Sequence, residues 1–283
     1  MKLRQVMEFL WYFNKKCSYK NGVGKLNILI TNDDGIFAEG INILSETLSV
    51  KHNVFVVAPH TNRSAVSHHI NMTDSLDIQK IKDNYYSVTG FPVDCISVGL
   101  KSDLISCKID AVVSGINCGA NMGTDIIYSG TCAAARQAVL DGYPAIALSL
   151  APANWEKARS EGLKYKTLAD FALNNLETLV SLSAASLDNA KAFVNVNADS
   201  LDSYKGVYLC KSLCSRKYGD TVVVNSLEKD GNKFTSKFVP GFLEQNYEIE
   251  TDAAQCKNGN VCISKVLCEP VCVQIVDGIE FKL

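Results

Sequence analysis

Between Leu26 and about Leu150, short apolar runs alternate with helix-like stretches, and this alternation narrows the possible folds more than any other feature of the chain. Apolar runs lacking an in/out rhythm are what strands buried on both faces require, and such strands occur in parallel sheets with helical crossovers. The spacing predicts strands at Asn27–Thr31, Val54–Ala58, Ala111–Ser114 and Ala145–Leu150. Between the first two, Ile41, Leu44 and Leu48 share one helical face, and between the last two, Thr131–Leu140 is alanine-rich and helical. Ser75–Ile81 and Tyr85–Val88 read as a β-hairpin inserted in this scheme.

Beyond Leu150 the pattern changes. Lys157–Leu182 reads as one amphipathic helix or two, and Phe193–Asn197 as a further strand. Gly206–Cys210 and Thr221–Leu227 read as an antiparallel pair, suited to an oligomer-forming arm, whereas Thr251–Leu283 has too weak a period for assignment. The expected organisation is an N-terminal extension (1–25), an α/β domain (26–200) and a β-rich C-terminal arm and tail (201–283).

With 283 residues, 47% of them apolar, the chain can bury a large core. The net charge is −2 and the Lys and Arg residues are scattered, so no basic stripe exists for a nucleic-acid polymer. Eleven cysteines, an odd number in a chain this long, point to reduced thiols and a reducing compartment rather than a disulfide framework. Cys210 and Cys214, and Cys268 and Cys272, are spaced by three residues, but there is no C-x2-C pair and the four histidines (52, 60, 68 and 69) are distant, so zinc is not expected. No apolar run approaches the ~20 residues of a membrane span. Glu8 interrupts the apolar run Val6–Phe13 and no small-x-small cleavage site follows it, so a cytoplasmic protein is expected.

In open α/β sheets the ligand crevice lies outside the carboxyl ends of the strands. Three segments there are polar. In Thr31-Asn-Asp-Asp-Gly35, two adjacent carboxylates about 4 Å apart would repel by roughly 4 kcal/mol at an effective dielectric near 20, which a bound cation offsets; helix capping within a turn is the plainer use of the same residues. Ala58-Pro-His-Thr-Asn-Arg-Ser64 is an oxygen-rich loop. In Ser114-Gly-Ile-Asn-Cys-Gly-Ala-Asn-Met-Gly-Thr-Asp125, glycines and asparagines follow a buried strand, and Tyr128-Ser-Gly-Thr131 opens a helix whose N-terminus can take an anion or simply be capped by Ser129. Asp33, Asp34, a serine and an asparagine form an all-oxygen set, which suits one hard divalent cation, Mg²⁺ or Mn²⁺. A cation beside a helix N-terminus suits phosphoryl hydrolysis.

These segments resemble, in order, the motif series of the SurE survival-protein nucleotidases. The matching stretches are Thr31–Ile36 with Ala38 and Gly40, Val57–Pro59 with Asn62–Ser64, Gly90-x-Pro92 with Asp94 and Cys95, Val113–Asn117 with Gly119–Asn121, and Tyr128–Thr131. Phe193–Asn197 and Lys205–Val207 add support. The resemblance implies a Rossmann-like three-layer fold with an inserted hairpin and an arm used in homodimers or homotetramers. It also implies a metal on Asp33, Asp34, Ser64 and Asn117, and hydrolysis of nucleoside 5'-monophosphates, with 3'-nucleotides and short polyphosphate as further substrates. In the mechanism that follows, Asp33 accepts a proton from the attacking water, while Asn121, Ser129, Gly130 and Thr131 hold the phosphoryl oxygens. No residue is identifiable as the leaving-group acid; His68 and His69 are near Ser64 in sequence, but a loop histidine is more often simply solvated.

The chain departs from the family pattern at His60 (usually Asp) and Ala65 (often Gly), and in Lys265–Pro270 where Thr-Pro-Leu is expected. These changes touch the substrate rim and the oligomeric contacts rather than the metal set. The absence of G-x-G-x-x-G after the first strand argues against a dinucleotide oxidoreductase. Adjacent carboxylates, rather than Asp-x-Asp, argue against an aspartyl-phosphate phosphatase. A non-catalytic nucleotide sensor on the same fold is the rival from another class.

Overall fold

The computed structural model describes residues 24–152, 155–184, 190–226, 233–246 and 248–271. Most of the expected extension 1–25, and the C-terminal residues 272–283, lie outside the described residues. In chain order the elements are β1 (Asn27–Thr31), α1 (Glu39–Ser49), β2 (Asn53–Pro59), β3 (Ile78–Lys82), β4 (Tyr85–Val88), α2 (Pro92–Lys101), β5 (Ala111–Cys118), a 3-10 turn (Gly123–Ile127), α3 (Gly130–Leu140), β6 (Ala145–Ala151), α4 (Trp155–Glu161), α5 (Tyr165–Ala184), β7 (Ala192–Asp199), β8 (Val207–Leu209), β9 (Arg216–Tyr218), β10 (Thr221–Ser226), β11 (Phe234–Val239), β12 (Leu243–Gln245), α6 (Asp252–Lys257) and β13 (Val261–Leu267).

One nine-stranded sheet runs β3-β4-β2-β1-β5-β6-β7-β13-β8. β1 pairs in parallel with both β2 and β5, and β5, β6 and β7 continue in parallel. Alternate residues of β1 enter opposite cores. Ile28 and Ile30 pack with Leu44 and Leu48 of α1 and Leu168 and Leu176 of α5, whereas Leu29 packs with Ile96 of α2 and Ala134 and Ala138 of α3. Both faces are therefore buried, which is why the strand reads as an uninterrupted apolar run. The fold is α/β with helices on both faces, as the alternation implies.

Every predicted strand up to Asn197 forms, several of them longer by one to four residues. The inserted hairpin forms as β3 paired antiparallel with β4, and it joins the main sheet: β4 lies parallel to β2 and β3 closes the sheet edge. The stretch read as one helix or two is α4 and α5, separated at Gly162, whose φ of +76° lies in the left-handed region where glycine ends a helix at least cost. The predicted partnership of Gly206–Cys210 with Thr221–Leu227 does not form. Instead β8 lies parallel to β13 in the main sheet, and β10 pairs with β11. β13 itself comes from the segment left without assignment and pairs antiparallel with β7, so the sheet runs past the expected division at residue 200. The arm proper is two small pairs, β10 with β11 and β9 with β12. No described helix is long and apolar enough to cross a membrane, and the cysteines of the described residues are free thiols.

Candidate active site

The strand order reverses at β1: the chain steps to β2 on one side and later to β5 on the other. A crevice opens at such a point, beyond the carboxyl ends of β1 and β5. The turn after β1 is closed by Asn32, whose side-chain amide donates to Gly35 O (2.8 Å) and whose carbonyl accepts Gly35 N–H (3.2 Å). Gly35 sits at φ +102°, and a Cβ there would lie 3.2 Å from the Thr61 carbonyl carbon, so the position is left to glycine. Arg63 N–H donates to Asp33 O (2.6 Å), which draws the loop bearing Ser64 to the same mouth. On the other side, the register of β5 slips between Ser114 and Asn117, freeing the end of that strand to turn into the site.

Asp33 is the most constrained group. Its carboxylate lies at the N-terminus of α3 and accepts both the Thr131 hydroxyl (2.7 Å) and Thr131 N–H (3.1 Å). A Cβ on Gly130 would lie 2.9 Å from Asp33 Cβ, so glycine is what lets helix and carboxylate meet. Burial pushes the Asp33 carboxyl up to about 6, against the downward pull of the Thr131 hydroxyl, and neighbouring Asp34 adds to the rise. Asp34 accepts Cys118 N–H (2.9 Å) and is also raised by burial. The Asn117 side-chain amide donates to Gly119 O (3.0 Å), which leaves its carbonyl oxygen as the donor atom for a ligand. Ser129 caps α3 by accepting Cys132 N–H (3.0 Å), so its hydroxyl proton remains available for donation.

Asp33, Ser64, Asn117, Asn121 and Ser129 line one cleft of about 790 Å³, and Asp34 stands beside it through Cys118. Two adjacent carboxylates, both raised by burial and hydrogen-bonded only to neutral donors, together with a serine hydroxyl and an amide carbonyl, fit a hard cation. Among the described residues there is no cluster of three or more His, Cys, Asp or Glu side chains placed for a metal. The present set contains just two such side chains and draws its other donors from neutral oxygens.

Two expected roles change. Thr131 is fully buried with both donors on Asp33, so they hold a carboxylate of the protein rather than a phosphoryl oxygen, and Ser129 is the residue of this helix end whose hydroxyl proton stays available. Asn121 directs its amide to Ser149 Oγ (2.8 Å), and its backbone is clamped by Asn195 and Asn197 of β7. His68 Nε2 meets Gln137 Oε1 (2.9 Å) in the C-terminal half of α3, and His69 packs against Phe91 with its ring tilted; neither lines the cleft. The sequence reading also missed the far wall. There Arg216 of β9 pairs with Asp125, Tyr218 hydroxyl donates to Asp125 Oδ1 (2.8 Å), and Lys217, Asp220 and Phe238 join the lining. Asn195 and Asn197 carried a usable signal, being two polar residues on one face of an otherwise apolar strand.

The family model for survival protein SurE matches residues 28–219. The chain belongs to the SurE family. It is 37% identical over 243 residues to a 5'-nucleotidase SurE of Clostridium botulinum (strain Loch Maree / Type A3), covering 84% of this chain and 92% of that protein. It is 46% identical over 154 residues to a 5'-nucleotidase SurE of Geotalea daltonii, a match of 54% of this chain that spans 59% of that relative's length. Among solved structures, the SurE protein of Aquifex aeolicus superposes with a TM-score of 0.71 at 30% identity, covering 87% of this chain and 94% of that one. The SurE segment contains every residue of the cation set and ends just before β10, so Phe238 lies beyond the family-model match.

Proposed function

We propose that this SurE-family protein is a hydrolase that uses one divalent cation, Mg²⁺ or Mn²⁺, to convert nucleoside 5'-monophosphates to nucleoside and phosphate. The observation that carries the reading is the adjacent pair of buried Asp33 and half-buried Asp34 at the sheet's switch point, with Asp33 facing a cleft large enough for a nucleotide and bordered by the N-terminus of α3. The relatives named 5'-nucleotidase SurE support the same reaction class.

Asp33, Asp34, Ser64 and Asn117 would hold the cation, which when bound supplies Lewis-acid polarisation of the phosphoryl group. The chain's own groups do the rest. Thr131 fixes the Asp33 carboxylate, which faces the cleft and is the group placed to take a proton from the attacking water. Ser129 donates its hydroxyl to a phosphoryl oxygen, and the N-terminal end of α3 adds a favourable dipole for negative charge. Asn121, held by Asn195, Asn197 and Ser149, sets the loop that borders the phosphate. The exposed apolar faces of β10 and β11, with Val222, Val224, Phe234 and Phe238 outward, support assembly as a homodimer or homotetramer.

The test is phosphate release from a panel of mononucleotides after EDTA treatment, with and without added Mn²⁺ or Mg²⁺. Activity abolished by EDTA, restored by the cation, and absent in a folded Asp34→Asn variant is the expected result. Full activity in EDTA would sink the metal assignment, and a metal-replete protein that binds nucleotide without turnover would establish the sensor reading instead.

A further inference from the structure

Behind the loop that borders the phosphate, and outside the cleft, another buried carboxylate joins segments that lie far apart in the chain. Asp252, the first residue of α6, is 1% exposed and does not line the cleft. One of its oxygens accepts Cys214 N–H (2.8 Å) and Ala253 N–H (2.9 Å), and the other accepts Gly123 N–H (2.9 Å). The cap of α6 is its neighbour Thr251, whose hydroxyl accepts Ala254 N–H. Asp252 is therefore free to serve the two distant segments. It can serve both at once because each carboxylate oxygen is an acceptor, which is not true of an amide.

Both segments lead into the site. Gly123 opens the 3-10 turn two residues after Asn121, and Met122 between them packs among Cys214, Ala253, Cys256 and Cys262. Within that turn, Asp125 O accepts Tyr128 N–H (3.0 Å) and Ser129 N–H (3.1 Å), so the turn sets where the Ser129 hydroxyl stands. Cys214 lies two residues before Arg216, whose backbone N–H donates to Thr124 Oγ1 (3.1 Å) and whose guanidinium pairs with Asp125. The two segments meet closely: Gly123 has φ +54°, and a Cβ there would lie 2.0 Å from Cys214 O. Asn195 and Asn197 fix Asn121 from β7, and Asp252 fixes the residues that follow from α6.

Resting on the nucleotidase reading, we propose that Asp252 is a positioning residue for the phosphate end of the cleft: its carboxylate holds the Gly123–Ile127 turn, and through it Asn121 and Ser129, where phosphoryl oxygens bind. The test compares the full-length parent with Asp252→Asn and Thr251→Ala. Asp252→Asn keeps the side-chain shape but turns an N–H group toward one of the two segments. Thr251→Ala removes the α6 cap and leaves both Asp252 links in place. Thermal melts give the stability of each, calorimetric titration gives the affinities for Mn²⁺ and for inorganic phosphate with Mn²⁺ present, and hydrogen exchange follows the loop. Asp252→Asn should bind inorganic phosphate about tenfold more weakly, keep parental Mn²⁺ affinity, and exchange faster over residues 119–129 but not over 28–34. Thr251→Ala should melt lower than the parent yet bind phosphate as the parent does. Parental phosphate affinity in Asp252→Asn, or the same loss in Thr251→Ala, overturns the proposal. Should Asp252→Asn not fold, Gly123→Ala displaces the turn from the other side while sparing α6; it must weaken phosphate likewise, and parental affinity there refutes the role. If the parent neither hydrolyses a mononucleotide nor binds phosphate, the nucleotidase reading fails separately and hydrogen exchange decides the clamp. Faster exchange over 119–129 in Asp252→Asn than in Thr251→Ala supports it, and equal exchange refutes it.

Discussion

Replacing Asp33 by asparagine probes the electrostatics of the site in the metal-free protein. Asp33 is 3% exposed, and burial raises its carboxyl from 3.8 to about 6. Between those values the folded protein holds a proton that the unfolded chain has released. Stability therefore falls as pH rises: the contribution of this group is fully present below about pH 4 and is lost as pH climbs through about 6. A rise of about two pH units corresponds to about 3 kcal/mol, which is the strain of keeping this carboxylate charged at neutral pH without a cation. The amide of the Asp33→Asn variant retains an oxygen for the Thr131 hydroxyl but not for Thr131 N–H, a loss of about 1–3 kcal/mol that is the same at every pH. The stability of the variant minus that of the parent should thus increase by about 3 kcal/mol between pH 4 and pH 7.5, whatever its absolute value. Urea unfolding in EDTA at four pH values across that window measures it, and saturating Mn²⁺ should restore only the parent. A difference that stays flat with pH would refute the claim that burial holds Asp33 above its ordinary pKa.

Gly130→Ala should leave a folded protein destabilised by about 1–3 kcal/mol with hydrolysis reduced more than tenfold, because the new methyl would lie 2.9 Å from Asp33 Cβ and push the carboxylate off Thr131; thermal unfolding and phosphate release on one sample separate the two effects. Asn197→Ala removes the acceptor of Asn121 N–H (2.8 Å) in a buried setting. A stability loss of about 1–3 kcal/mol with a fall in kcat/KM is expected, and parental activity would show that the Asn121 loop does not border the phosphate.

The central strands were legible because burial on both faces removes the polar alternation that would mark an edge, and Asn32-Asp-Asp-Gly35 stood out as a polar turn after a buried strand, though its residues alone fit a helix cap as well as a cation site. The role of Thr131 was not. Capping and anion binding use the same N–H groups, and only the fold shows that the anion is Asp33, 98 residues away. Arg216 and Asp125 are 91 residues apart in ordinary-looking loops, with no local signal to join them. The misassigned pairing of β8 has the same origin. Its three residues, Val207–Leu209, carry too little pattern to choose a partner, and the choice is made by β13, where a buried Ser264 and the following Lys265 blur the strand rhythm.

The place of β13 also bears on how the protein is made. Synthesis proceeds from the N-terminus, and domains begin to fold as they emerge. Strands β1 to β7 are complete by residue 199, but the strand that covers the open side of β7 is not fully translated until residue 267. Throughout that interval the nascent chain carries an unpaired strand edge flanked by Phe193, Val194 and Val196, a template onto which a neighbouring polypeptide can add. A chain cut short between these points would keep the turn that bears Asp33 and Asp34 but lack the strand that covers β7, and with it the protection of that edge.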